Sequence, residues 1–150
     1  MTRPEQAYEN FKSGYNCCQS IAVAYADLLG LSSEMAARLS SGFGGGMGRL
    51  REVCGAVSGM VFVASALKGY SDPKDNAQKK ELYALIQKLA GAFERENGSI
   101  VCRELLGLSV KKEDPTPSAR TEGYYKKRPC AELVRMAAEI LERELLLSES

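Results

Sequence analysis

The sequence predicts an all-α fold, a compact single-domain helical bundle of about five to seven helices, on three observations. Apolar residues recur at helical spacing in several segments, no segment sustains period-two alternation, and cap residues and glycine stops punctuate the chain at short intervals. A chain of 150 residues buries roughly 70% of its unfolded surface and needs no metal or disulfide merely to fold.

Pro4 to Lys12 reads as a short opening helix with proline in its first turn and Gly14 after its end. Asn16 then caps Cys17 to Leu29, where Ile21, Tyr25, Leu28 and Leu29 repeat at helical spacing and Gly30 stops the helix. Ser32 caps Ser33 to Ser40. Gly42, Gly44, Gly45, Gly46 and Gly48 follow, a density that implies positive dihedrals or close backbone approach in place of a regular element.

A helix from about Arg51 to Lys68 carries Cys54 in its first turns. Gly55 and Gly59, with Ala56, Ser58 and Ala66, leave grooves for a neighbouring helix. Asp72-Pro73 starts the next helix, with Leu82, Leu85, Ile86, Leu89, Ala90 and Phe93 as its apolar stripe, running to about Asn97. Ser99 caps a short helix from Ile100 to Leu106 with Cys102 in its first turn. Residues 108–128, with two prolines and little periodicity, read as a long surface loop of the functional or mobile kind. Pro129 opens the last helix, to about Leu146, with Leu133, Met136, Ala137, Ile140 and Leu141 facing inward and Cys130 as its second residue.

Lys plus Arg (20) nearly cancel Asp plus Glu (19), which argues against a nucleic-acid partner or an anionic membrane surface. The longest uncharged run, Val53 to Leu67, is shorter than the about 20 residues of a membrane span, so the chain is not expected to cross a membrane. The polar N-terminus predicts a cytoplasmic location, where cysteines serve as redox, metal-binding or buried residues more often than as permanent disulfides.

There are five cysteines and no histidine, and Cys17, Cys54, Cys102 and Cys130 each fall at a predicted helix start. Unpaired N–H groups and partial positive charge there favour thiolate over thiol, and Arg51, Arg103, Lys126, Lys127 and Arg128 flank these positions. At least three of the four sulfurs are expected within disulfide or metal-ligand reach of a common point. Cys18 projects from another face of its helix and reads as packing. With no C-x-x-C pair, specificity comes from position and not from spacing.

Three readings stay open. The four thiolates hold an iron-sulfur cluster, most simply [2Fe-2S], or cycle as two thiol/disulfide pairs with an electron-transfer partner. Zinc closes four helix ends as a structural site. Or the cysteines are inert in a helical interaction module, for which Leu145, Leu146 and Leu147 predict a homodimer contact. Gly45, Gly46, Gly48, Arg49 and Gly55 are the candidates for cradling a bound group, and Tyr124 and Tyr125 for lining its pocket. The glycine segment lacks the spacing of a nucleotide loop, and its simpler role is to pack backbone against the cysteines or to donate N–H bonds to sulfur. No C-x-x-C-H is present, so c-type haem attachment is excluded.

Asn16-Cys17-Cys18-Gln19-Ser20, Gly42-Phe43-Gly44-Gly45-Gly46-Met47-Gly48-Arg49, Cys54-Gly55-Ala56-Val57-Ser58-Gly59, Cys102-Arg103-Glu104-Leu105-Leu106-Gly107 and Cys130 together resemble the C_GCAxxG_C_C family of redox-active proteins over nearly the whole chain. Carried over by position, the family cysteines are Cys17, Cys54, Cys102 and Cys130, with Cys18 outside the pattern. The resemblance implies a small helical redox protein related to the cluster-binding part of split-Soret cytochromes.

Overall fold

Thr2 and Glu5 cap each other reciprocally and open helix α1 (Arg3–Lys12), with proline in the first turn. The computed structural model describes residues 1–108 and 112–146, with the side chains of Lys126 and Lys127 excepted; residues 109–111 of the expected loop and Leu147 lie outside the described residues. Asn16 and Gln19 repeat the reciprocal cap at α2 (Cys17–Ala24). That helix stops five residues short of the expected Leu29, because Gly30 adopts a left-handed φ of 72° and the Leu31 amide bonds back to the Ala26 carbonyl at 2.9 Å. Tyr25 leaves the helix pointing into the core, where its hydroxyl donates to the Ala138 carbonyl and to Glu142.

Ser32 caps α3 (Ser33–Ser40) as expected. A 3₁₀ turn (Ser41–Phe43) and a single turn, α4 (Gly44–Met47), lead into a left-handed stretch in which Met47, Arg49 and Arg51 all have positive φ. The Arg51 and Glu52 amides close this segment onto the Gly45 and Gly46 carbonyls. A Cβ on Gly46 would stand 2.6 Å from the Glu52 nitrogen, so only glycine permits the closure.

Helix α5 (Gly55–Lys68) begins four residues after the expected Arg51, because residues 52–54 are held extended. Val53 pairs with Val101 in an antiparallel bridge, flanked by the Cys54 amide on the Ile100 carbonyl (2.8 Å) and the Cys102 amide on the Glu52 carbonyl (2.6 Å). Asp75 caps α6 (Asn76–Asn97), and α7 (Cys102–Leu105) is a single turn. The expected 108–128 loop contains one more helix, α8 (Glu122–Lys127), capped by Thr121. The chain ends its described part in α9 (Cys130–Leu141), continued by a π-helical turn (Glu142–Leu146).

The fold class is all-α. Helix α9 packs on α1, α2, α5 and α6, and α2 packs on α1, α3 and α5. Phe11, Ile21, Tyr25, Met60, Phe93 and Ile140 fill the shared core. Leu145 is buried within that same core and Leu146 packs against it, so neither is a free surface leucine. Among the described residues, no helix is long and apolar enough to cross a membrane.

Candidate functional site

Helices α5, α7 and α9, like the single turn α4, open without the Ser, Thr, Asn or Asp that caps the others; Cys54, Val101 and Pro129 stand at those three positions. The first N–H groups of α5 turn to sulfur instead, with the Ala56 and Val57 amides aimed at Cys54. The Val53–Val101 bridge sets Cys54 and Cys102 on adjoining strands of chain. Cys17 and Cys130 are the first residues of α2 and α9.

Two glycines bring α5 against α2. A Cβ on Gly55 would lie 2.8 Å from the Cys17 Cβ, and one on Gly59 would lie 2.9 Å from the Ile21 Cβ. The glycines are four apart on α5 and their partners four apart on α2, so one face of each helix meets the other directly. The C-G-A-x-x-G run is therefore a packing device that delivers Cys54 to Cys17.

Cys17, Cys54, Cys102 and Cys130 line one cavity with about 50 Å³ of room for water centres, walled also by Arg51, Arg120, Tyr124 and Phe11. All five cysteines are buried, and none is in a disulfide. Cys18 lies outside the cavity wall; burial pushes its thiol up to about 12.

Burial decides most of the sulfur chemistry, against the expectation of four thiolates. Desolvation raises Cys54 to about 12 in spite of the two amides. It also raises Cys102, where Arg51 Nη1, 3.5 Å from the sulfur, works the other way. Cys17 and Cys130 are each the first influence on the other's acidity, in the manner of a hydrogen bond that Cys17 donates. Cys17 keeps its proton, and that bond and burial hold it well above the ordinary thiol range. Cys130 moves below its ordinary value, first because it accepts from Cys17 and then because Arg128, Arg51 and Arg120 surround it with positive charge.

The cationic supports are not those beside the cysteines in sequence. Arg51, next to the Cys54 segment, serves Cys102 and Cys130; its Nε bonds Glu113 at 2.6 Å, while Glu113 also holds Arg49 at 3.0 Å. Arg103 turns away to the Arg51 carbonyl and Glu52. Arg120 donates to the Phe11 and Tyr15 carbonyls and lies over the Phe11 and Tyr124 rings. Glu113 and Arg120 come from the polar 108–128 stretch, where neither periodicity nor a motif marks them.

The chain matches, over residues 15–144, the family described as "Putative redox-active protein (C_GCAxxG_C_C)". The chain belongs to this family. No curated protein and no solved structure matches it. In this C_GCAxxG_C_C member the expected cradle residues divide: Gly45, Gly46 and Gly55 line the cysteine cavity, while Gly48 and Arg49 line an adjoining vestibule. Tyr124 lines the cavity; Tyr125 instead donates its hydroxyl to the Lys12 carbonyl.

Among the described residues, no three Cys, Asp or Glu side chains are set to hold a metal ion. The four sulfurs expected to gather do share one cavity wall. The donor set, four cysteines on one wall, is soft and of the kind that iron-sulfur or zinc takes.

Proposed function

We propose that this C_GCAxxG_C_C protein is a thiol/disulfide redox protein whose working pair is Cys17 and Cys130, with Cys54 and Cys102 as the second pair. The observation that carries the reading is the meeting of Cys17 and Cys130 on one cavity wall with Arg51 and Arg120, where each thiol is the first influence on the other's acidity. This sets the more readily ionised thiol against a partner that holds its proton, the asymmetry that exchange requires. Cys130 attacks a disulfide sulfur and forms a mixed disulfide. Cys17 then loses its proton to the released thiolate and attacks the Cys130 sulfur, closing the internal disulfide and releasing the second half of the acceptor as a thiolate. Two electrons pass to the disulfide acceptor.

Cys54 and Cys102 lie on the same cavity wall. Their raised thiols suit a reserve pair that reduces Cys17–Cys130 after ionisation beside Arg51. Gly45, Gly46 and Gly55 leave the backbone close to the sulfurs. A four-thiolate iron-sulfur centre is the second reading, supported by the arrival of four soft donors at one cavity.

Equilibration of the anaerobically purified protein in a redox buffer, followed by alkylation and peptide mass analysis, tests the proposal. A Cys17–Cys130 disulfide that forms and reverses with the buffer is the expected result, with Cys130→Ser abolishing it. Stoichiometric iron with visible sulfur-to-iron bands would replace the dithiol reading with the cluster. Zinc without colour would replace it with a structural site.

A further inference from the structure

Outside the cysteine cavity lies a second hollow of about 500 Å³ that shares Asn16, Gly45, Arg51, Arg120 and Tyr124 with it. Its size is that of a small-molecule site. Three guanidinium groups face it, those of Arg49, Arg51 and Arg120. Glu113 bridges Arg49 and Arg51, one negative charge against two positive, and the exposed Asp114 carboxylate, bonded to the Thr116 amide, adds a second negative charge within electrostatic range of Arg49.

Arg120 differs. Among the described residues it donates to two backbone carbonyls, at 3.0 and 3.1 Å, and its faces meet the rings of Phe11, Tyr124 and Tyr125. Carbonyls and rings fix the orientation of a guanidinium without cancelling its charge. Arg120 therefore stands as an oriented cation on the wall that the two hollows share.

We propose that the vestibule takes small disulfides carrying a carboxylate or similar anionic group, with Arg120 holding the anion while the disulfide sulfur reaches Cys130. The inference rests on the thiol-pair reading above and adds its substrate class. The exchange balances: Cys130 thiolate and Cys17 thiol give one internal disulfide, while the bound disulfide leaves as one thiolate and one thiol. The four cysteine residues are only 4–8% exposed, so their sulfurs are set deep for a folded protein's disulfide and suited to a small one.

The test uses the fully reduced full-length protein in single-turnover reaction with 3,3′-dithiodipropionate, 2-hydroxyethyl disulfide and cystamine, which are anionic, neutral and cationic. Each rate is divided by that of free cysteine with the same disulfide. At low ionic strength the anionic compound is expected to lead the cationic one by about tenfold or more. The lead should shrink in high salt. In Arg120→Gln the ratio should fall toward one, while Arg95→Gln, an exposed charge on α6, should keep it.

Equal normalised rates at both salt concentrations would overturn the inference and leave the thiol-pair reading standing. No reaction with any disulfide would overturn the thiol pair itself. Faster normalised reduction of insulin than of dithiodipropionate would overturn the small-molecule assignment. The salt series on the unaltered protein decides the question even where Arg120→Gln fails to fold.

Discussion

Replacing Gly55 with alanine is expected to destabilise the protein by about 2–3 kcal/mol, in the upper part of the range for an overpacked core. The new methyl would lie 2.8 Å from the Cys17 Cβ, 3.2 Å from the Cys18 amide nitrogen and 3.2 Å from the Phe43 carbonyl oxygen. Two of those three neighbours are backbone, on different segments, so no side-chain rotation relieves the contact. Because Gly55 is the first residue of α5, alanine also recovers little of the about 1 kcal/mol it gains in a helix interior.

Gly59→Ala makes the comparison. There the clash is with the Ile21 side chain alone, and the interior position returns about 1 kcal/mol of helix propensity, leaving a net loss of about 1 kcal/mol against an overpacking cost of about 2. Gly42→Ala, with nothing within 4 Å, should be nearly neutral. Urea unfolding under reductant reads the series: with a slope of about 2 kcal/mol per molar, Gly55→Ala should lower the midpoint by about 1–1.5 M. A Gly55→Ala midpoint matching that of Gly42→Ala would refute the claim that α5 and α2 meet through these glycines.

Three further outcomes follow from the site. Iodoacetamide at neutral pH should label Cys130 first among the five thiols and Cys17, Cys18 and Cys54 last, and Arg128→Gln should move the Cys130 pH–rate curve upward, both read by peptide mass analysis. Glu113→Gln breaks the clasp on Arg49 and Arg51 and should cost about 1–3 kcal/mol, with faster amide exchange at residues 112–121. Cys18 is raised on folding to about 12, so its contribution is whole below the unfolded thiol value of about 8.5 and is lost as pH rises toward the folded value. Between pH 8 and 10 the unaltered protein should lose about 2 kcal/mol more than Cys18→Ala, measured by urea midpoints at both pH values.

Helix starts were the legible part of this fold. Asn16 and Ser32 announce α2 and α3 by side-chain chemistry that acts within three residues, and Cys17 and Cys130 fall at helix starts as their sequence positions imply. Long-range facts were not legible. The Val53–Val101 bridge joins segments 48 residues apart and delays α5, and no local pattern encodes that pairing. Arg51 reads as a neighbour of Cys54, yet its left-handed backbone turns it to Cys102. The expected thiolates gave way to thiols because desolvation at depth outweighs helix-start amides, as Cys54 demonstrates.

The sulfurs that meet at the cavity are carried by segments from residue 17 to residue 130. An unfolded chain therefore scatters its reactive thiols, and they become neighbours only once α9 docks onto α1, α2 and α5. Chemical competence at this site is thus a late product of folding, and oxidant that arrives before that docking would lock wrong partners together. Refolding in reductant and then withdrawing it slowly is the order of operations this architecture demands.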